Sequence, residues 1–181
     1  CEHEGISPDL LCLAKGLTGG YLPLAATLAS DDIWRAFLGR HEDSRHFFHG
    51  HTYGGNPLGA AAALASLDVF EQERVLEQLP EKVGRLRQHL ATIAQLEHVG
   101  DVRQRGLIAG VELMRDRATA TPYEPGERRG WRACLHAREH GVLLRPLGDV
   151  VVLMPPLAVS LEELDQIAAA AAAGIQAACN D

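Results

Sequence analysis

Two lysines occur in the sequence, Lys15 and Lys82, and they stand in different company. Lys15 follows an apolar run, Leu10-Leu11-Cys12-Leu13-Ala14, and opens a stretch with glycine at 16, 19 and 20. An ammonium delivered by a buried strand into such a loop loses hydration, which favours the neutral amine. A neutral amine condenses with an aldehyde to form a Schiff base. A lysine after a strand more often snorkels to solvent, so Lys15 takes its chemical reading from its surroundings. An aldehyde cofactor that carries a phosphate also needs anion donors. Residues 50–58, Gly-His-Thr-Tyr-Gly-Gly-Asn-Pro-Leu, offer glycines, the Thr52 hydroxyl and a following helix start, and backbone N–H groups at such a turn suit phosphate. Arg145, in Leu-Leu-Arg-Pro, reads as a surface charge in isolation. Beside a cofactor it can grip a carboxylate in a two-pronged pair, which lysine does poorly. His46, His49 and His51 are close in sequence but lack a matching carboxylate or cysteine set. Hydrogen bonding and loop shaping are expected of them, and no metal.

The elements that must hold these residues follow from local signals. Residues 9–14 read as a short buried strand, and Pro23 to Ala29 as a second apolar run of strand length. Ser30-Asp31-Asp32 caps a helix through about Leu38. The segment 39–57 is a long loop rich in His and Gly. Asn56-Pro57 then starts a helix with small residues to about Phe70, and charged helix continues to about Thr92, interrupted or kinked near Pro80. Val99–Arg103 and Leu107–Leu113 form a hairpin around Gly106. A helix over about Glu127–His140 ends at Gly141. Val142–Arg145 and Val150–Met154 are two further strands, and Ser160 with Glu163 boxes the start of a last Ala-rich helix. Residues 93–181 thus make a compact α+β domain, whereas the two strands of 1–75 are too few for an independent sheet.

Composition excludes several classes. Of 181 residues, 46% are hydrophobic and 23% charged, the balance of a globular protein. A formal charge of −7 leaves no footprint for nucleic acid, and Arg128, Arg129 and Arg132 read as a solvated helix face. No apolar run reaches the roughly 20 residues that span a bilayer, and the first residues show no leader pattern. Cys1, Cys12, Cys134 and Cys179 are too scattered for a zinc site or a disulfide framework. A reducing cytoplasm is the expected compartment. The chain reaches an apolar run within ten residues of Cys1, as expected of one that begins in the middle of a fold.

Three stretches in order resemble the class III aminotransferases. Asp9-Leu-Leu-Cys-Leu-Ala-Lys-Gly-Leu-Thr-Gly-Gly20 is similar to that family's cofactor-lysine segment, Thr52-Tyr-Gly-Gly-Asn-Pro-Leu-Gly-Ala60 to its phosphate-contacting loop and following helix, and Val150-Val-Val-Leu-Met-Pro-Pro-Leu157 to its C-terminal strand and turn. Residues 1–9, 21–27, 48–53 and 144–149 are similar to the branch that serves biotin synthesis. The resemblance implies an α/β fold, that of the fold-type I pyridoxal-phosphate transferases (aspartate aminotransferase-like). Residues 1–75 would be the end of the large cofactor-binding domain, 76–92 a connecting helix and 93–181 the small domain. It implies pyridoxal 5'-phosphate bound through Lys15, which also moves the proton, with Gly50, His51 and Thr52 at the cofactor phosphate of a partner subunit in a homodimer. Lys15, Gly50 and Arg145 are the positions implied to meet substrate, Arg145 by its carboxylate. Gly16 is implied to be structural, and Gly59, where alanine is more usual, to be of little consequence.

The branch implies S-adenosylmethionine as amino donor and 8-amino-7-oxononanoate as acceptor. Two other readings stand beside it: a class III enzyme with an ω-amino acid, diamine or ornithine-like donor, and a non-catalytic dimerisation or small-domain remnant. The family pattern also includes an aspartate for the pyridine nitrogen, aromatic residues around the ring and most of the large-domain sheet, ahead of the position of Cys1. The isolated 181-residue chain is therefore expected to be inactive and poorly folded over 1–75.

Overall fold

Short-range hydrogen bonds set the helix starts. In the computed structural model, which describes residues 1–180, Ser30 Oγ accepts from the Ile33 N–H at 3.5 Å, and Asp31 and Asp32 fill the first turn of α1 (Asp31–Ala36). Asn56 Oδ1 accepts from the Leu58 N–H at 3.1 Å, with Pro57 in the first position of α2 (Pro57–Gln72). α2 stops at Gln72, and the chain turns at Arg74, whose φ is 51°, before α3 (Val75–Ile93). Pro80 is not the interruption expected there; it lies inside α3. Near a helix start it withdraws a single N–H from the ladder, and the helix runs on.

The chain divides into two compact units, Cys1–Arg74 and Val75–Asp181. In the first, β1 (Leu10–Leu13) pairs antiparallel with β2 (Ala26–Ala29), Leu10 opposite Ala29 and Leu13 opposite Ala26. The strand expected to be buried is not. Leu10 is 55% exposed and Leu28 52%, because the sheet has two strands only and a two-stranded ribbon cannot enclose its own faces. Thr18 and Gly59 are the only buried residues of this unit.

In the second unit, β3 (Val99–Arg105) and β4 (Ile108–Leu113) are joined by a two-residue turn with Gly106 at φ 58°, a positive φ that the primed hairpin turns demand. β5 (Arg145–Leu147) and β6 (Val150–Leu153) turn in the same way at Gly148. The strand expected over 142–145 begins only at Arg145, because the Val142 N–H is tied back to Ala137 O at 3.2 Å, at the end of the preceding helix. The antiparallel sheet has the order β3-β4-β6-β5, with Pro146 on an edge strand, where sheets tolerate it.

Every second residue of the central strands faces inward: Ala109, Val111 and Leu113 on β4, Val151 and Leu153 on β6. Leu86, Leu90 and Ile93 of α3 and Leu164, Ala171 and Ile175 of α5 (Leu161–Asn180) complete that core. The α5 start is the expected capping box: the Ser160 N–H donates to Glu163 Oε2 at 2.8 Å and the Glu163 N–H to Ser160 Oγ at 3.1 Å. α4 (Arg129–Glu139) crosses α5 so closely that a Cβ on Gly174 would lie 2.3 Å from Ala133 O. The basic cluster expected on a solvated face is divided. Arg129, first residue of the helix, turns inward to Glu127 at 3.0 Å, to Ala178 O and over the Tyr123 ring, while Arg128 stacks on Trp131. Among the described residues no helix is long and apolar enough to cross a membrane.

Candidate active site

β1 hands the chain directly to Lys15, the first residue of a 3-10 turn, Lys15–Thr18, that Gly19 and Gly20 close at φ 61° and 84°. The Gly20 N–H donates to Lys15 O at 3.1 Å. A Cβ on Gly20 would sit 3.9 Å from Lys15 Cε, so the lysine stem passes over that glycine. The desolvation expected of Lys15 is not supplied within this chain: the residue is exposed. Gly16, implied to be structural, has neither a positive φ nor any atom near the position of a Cβ.

Lys15 lines a cleft of about 1080 Å³ bounded on one side by Tyr21 to Ala25 and on the other by residues of the 49–56 loop. His49, His51 and Tyr53 line it, whereas Gly50 and Thr52, alternating with them, do not. The structure thus brings His51 to Lys15 and leaves Gly50 and Thr52 off that cleft. His51 Nδ1 accepts from the Tyr53 N–H at 3.2 Å, a loop-shaping bond of the kind expected of these histidines. The Thr52 hydroxyl bonds to nothing among the described residues. The start of α2 offers fewer donors than its glycines suggest, because Asn56 takes the Leu58 N–H and Pro57 has none. Gly59 packs on the segment after Tyr21. A Cβ there would meet Leu24 Cδ1 at 3.5 Å and Pro23 O at 3.8 Å, ordinary contacts that alanine satisfies.

Arg145 belongs to the second unit, at the start of edge strand β5. It lines a groove of about 520 Å³ whose other walls are Leu143, Leu144, Leu147, Met154, Pro156 and similar apolar residues. A lone guanidinium among hydrocarbons fits a ligand with a carboxylate on an apolar chain. The other lysine is committed elsewhere: Lys82 is 9% exposed and its Nζ donates to Leu157 O at 2.8 Å. Cys134 is no rival nucleophile, since burial pushes its thiol up to about 11. Sequence reasoning missed Thr18, a fully buried hydroxyl beside the lysine loop; a threonine between a leucine and a glycine carries no signal of burial.

The sequence profile described as Aminotransferase class-III matches residues 1–173. A relative from Geobacter sulfurreducens, named adenosylmethionine-8-amino-7-oxononanoate aminotransferase, is 58% identical over 91% of this chain and 36% of its own length. The crystal structure of the enzyme of that name from Methanocaldococcus jannaschii superposes with a TM-score of 0.89 at 46% identity, over 94% of this chain and 39% of that one. A PMP-bound aminotransferase from Vibrio fluvialis gives 0.91 at 26% identity, over 100% of this chain and 40% of that one. The chain therefore spans little more than a third of the length of such relatives. Its mixed α/β architecture is that of the transaminases it superposes on, and with the family pattern running from residue 1 to residue 173, the chain belongs to the class III aminotransferases.

Proposed function

We propose that the chain is the C-terminal part of a pyridoxal-phosphate aminotransferase that moves the amino group of S-adenosylmethionine onto 8-amino-7-oxononanoate, giving 7,8-diaminononanoate for biotin synthesis. Residues 1–75 are then the end of the cofactor-binding domain, 76–92 a connecting helix and 93–181 the small domain. One observation carries this reading. Of two lysines, Lys82 is held by Leu157 O, and Lys15 stands exposed on a cleft of cofactor size beside a glycine that leaves room for its stem. Relatives with that enzyme's name, 58% and 46% identical, support the choice of substrates. Four unpaired thiols suit a reducing cytoplasm.

The residues fit the cofactor: a primary amine on a cleft also lined by Gly20, Gly54 and Gly55. When bound, pyridoxal phosphate supplies an aldehyde and a ring that takes up electrons. Lys15 Nζ would hold it, and the same amine would move the proton at the substrate carbon. Both tasks need the unprotonated amine, so the cleft must be closed to water by groups beyond those of the first unit. Thr52 Oγ1 and the N–H groups of Gly50 and His51 donate to phosphate. Gly50 and Thr52 do not line their own Lys15 cleft, which supports donation to a second copy and hence a homodimer. Gly50, lacking a side chain, also leaves space for substrate there. Arg145 pairs with the substrate carboxylate, and the apolar walls around it dehydrate the methylene chain.

The test is an amino-transfer assay on a chimaera in which these 181 residues replace the matching segment of the Geobacter sulfurreducens relative, and on this chain alone. The chimaera is expected to use S-adenosylmethionine in preference to an ω-amino acid, a diamine or ornithine, and the chain alone to be inactive. Preference for one of the other donors overturns the substrate assignment, and turnover by the chain alone overturns the division of the site.

A further inference from the structure

We infer that Thr18 is a positioning residue whose hydroxyl ties the Lys15 turn to the 21–25 wall of the cleft, an assignment that rests on the cofactor reading of Lys15. In a unit whose apolar side chains are all at least partly exposed, the one enclosed side chain is a threonine, 2% exposed. Burying a hydroxyl is unfavourable unless it is bonded, and Thr18 is bonded twice to a single residue. Its Oγ1 donates to Leu22 O at 2.6 Å and accepts from the Leu22 N–H at 3.4 Å. The Tyr21 N–H donates to Thr18 O at 3.2 Å, which makes 18–22 a closed turn.

That turn shares its backbone with the lysine loop. The Leu17 N–H reaches Ala14 O at 2.9 Å and the Gly20 N–H reaches Lys15 O at 3.1 Å. Downstream, Leu22, Leu24 and Ala25 form the wall beside Lys15, and Leu24 and Pro23 rest against Gly59 of α2. Thr18 itself does not line the cleft. It can touch neither cofactor nor substrate there, and acts through the placement of Lys15 and of residues 21–25. Valine has the shape of threonine without the hydroxyl, so Thr18→Val leaves both Leu22 groups unpaired. Thr18→Ser keeps the bonds and loses only a methyl.

The experiment uses the chimaera with the Geobacter sulfurreducens relative, carrying these 181 residues as wild type, T18V or T18S. Backbone hydrogen exchange is followed by mass spectrometry over residues 16–25, with α5 as internal reference. In parallel, pyridoxal phosphate followed by borohydride labels lysine, and adducts are quantified at Lys15 and Lys82. T18V is expected to speed exchange over 16–25 about tenfold, the factor of a lost hydrogen bond of about 1.4 kcal/mol. It is also expected to cut the Lys15 adduct by a similar factor, with α5 and Lys82 unchanged, while T18S matches wild type in both. Unchanged exchange in T18V, equal loosening in T18S, or faster exchange with undiminished Lys15 labelling each overturn the assignment. A wild type that takes no adduct on Lys15 sinks the cofactor reading instead, and the exchange data then still decide whether the hydroxyl pins the loop.

Discussion

The same substitution, glycine to alanine, should have opposite effects in two helices of the second unit. At Gly174 a Cβ would lie 2.3 Å from Ala133 O and 3.1 Å from Ala137 N, both backbone atoms of α4. Favourable contacts begin near about 3.5 Å, so α4 and α5 must part by roughly 1 Å. Overpacking of this kind costs about 1–3 kcal/mol, and a backbone neighbour that cannot rotate aside puts Gly174→Ala at the upper end. Better helix propensity returns about 1 kcal/mol, leaving a net loss of about 2 kcal/mol. At Gly84, inside α3, nothing lies within 4 Å of the added methyl. There only the propensity gain operates, about 1 kcal/mol in favour of alanine. At about 4 °C or more per kcal/mol for a domain of this size, the two variants should melt about 12 °C apart. Thermal unfolding by circular dichroism, checked by urea titration, reads this directly. G174A melting at or above wild type would refute the packing described for the α4–α5 crossing, and G84A melting below wild type would refute the open space beside Gly84 of α3. The crossing bears on function because α4 also seats the β5–β6 turn, where the Gly130 N–H donates to Asp149 Oδ1 at 2.8 Å.

Two further expectations concern charges. Arg85 binds Asp165 through two nitrogens at 2.7 and 2.6 Å, with His89 at 2.6 Å, and these bonds, Arg85 first, hold the Asp165 carboxyl well below its ordinary range. A carboxyl lowered on folding contributes stability that is fully present above its unfolded value of about 3.9 and lost as pH falls toward the folded one. D165N should therefore be less stable than wild type at neutral pH, with the gap closing below about pH 4 in urea titrations; a gap constant with pH contradicts this. For Arg145, the lysine variant keeps the charge but not the fork. R145K in the chimaera should raise KM for 8-amino-7-oxononanoate about tenfold or more, and an unchanged KM removes Arg145 from carboxylate binding.

What was readable in the sequence is what is settled within a few residues. Ser30, Asn56 and the Ser160–Glu163 pair cap helices where their types and spacing indicate, and Gly106 marks its hairpin. What was not readable depends on distant partners. Arg129 is drawn inward by Glu127 and Ala178 O, and β1 is exposed because its sheet holds only one other strand. The helix break at Arg74 rather than Pro80 rests on one left-handed residue that nothing in its type announces. In the candidate site, Lys15 and His51 meet on one cleft, whereas Arg145 stands in the other unit and was singled out by residue type and family likeness, not by local pattern.

The central claim is that Lys15, and not Lys82, carries the cofactor. Treating the chimaera with pyridoxal phosphate and borohydride, then mapping the added mass by peptide, tests it with one internal control. The account predicts a visible absorption band on binding and an adduct on Lys15, with Lys82 protected by its burial against Leu157 O. An adduct on Lys82, equal labelling of both, or none on Lys15 would contradict it.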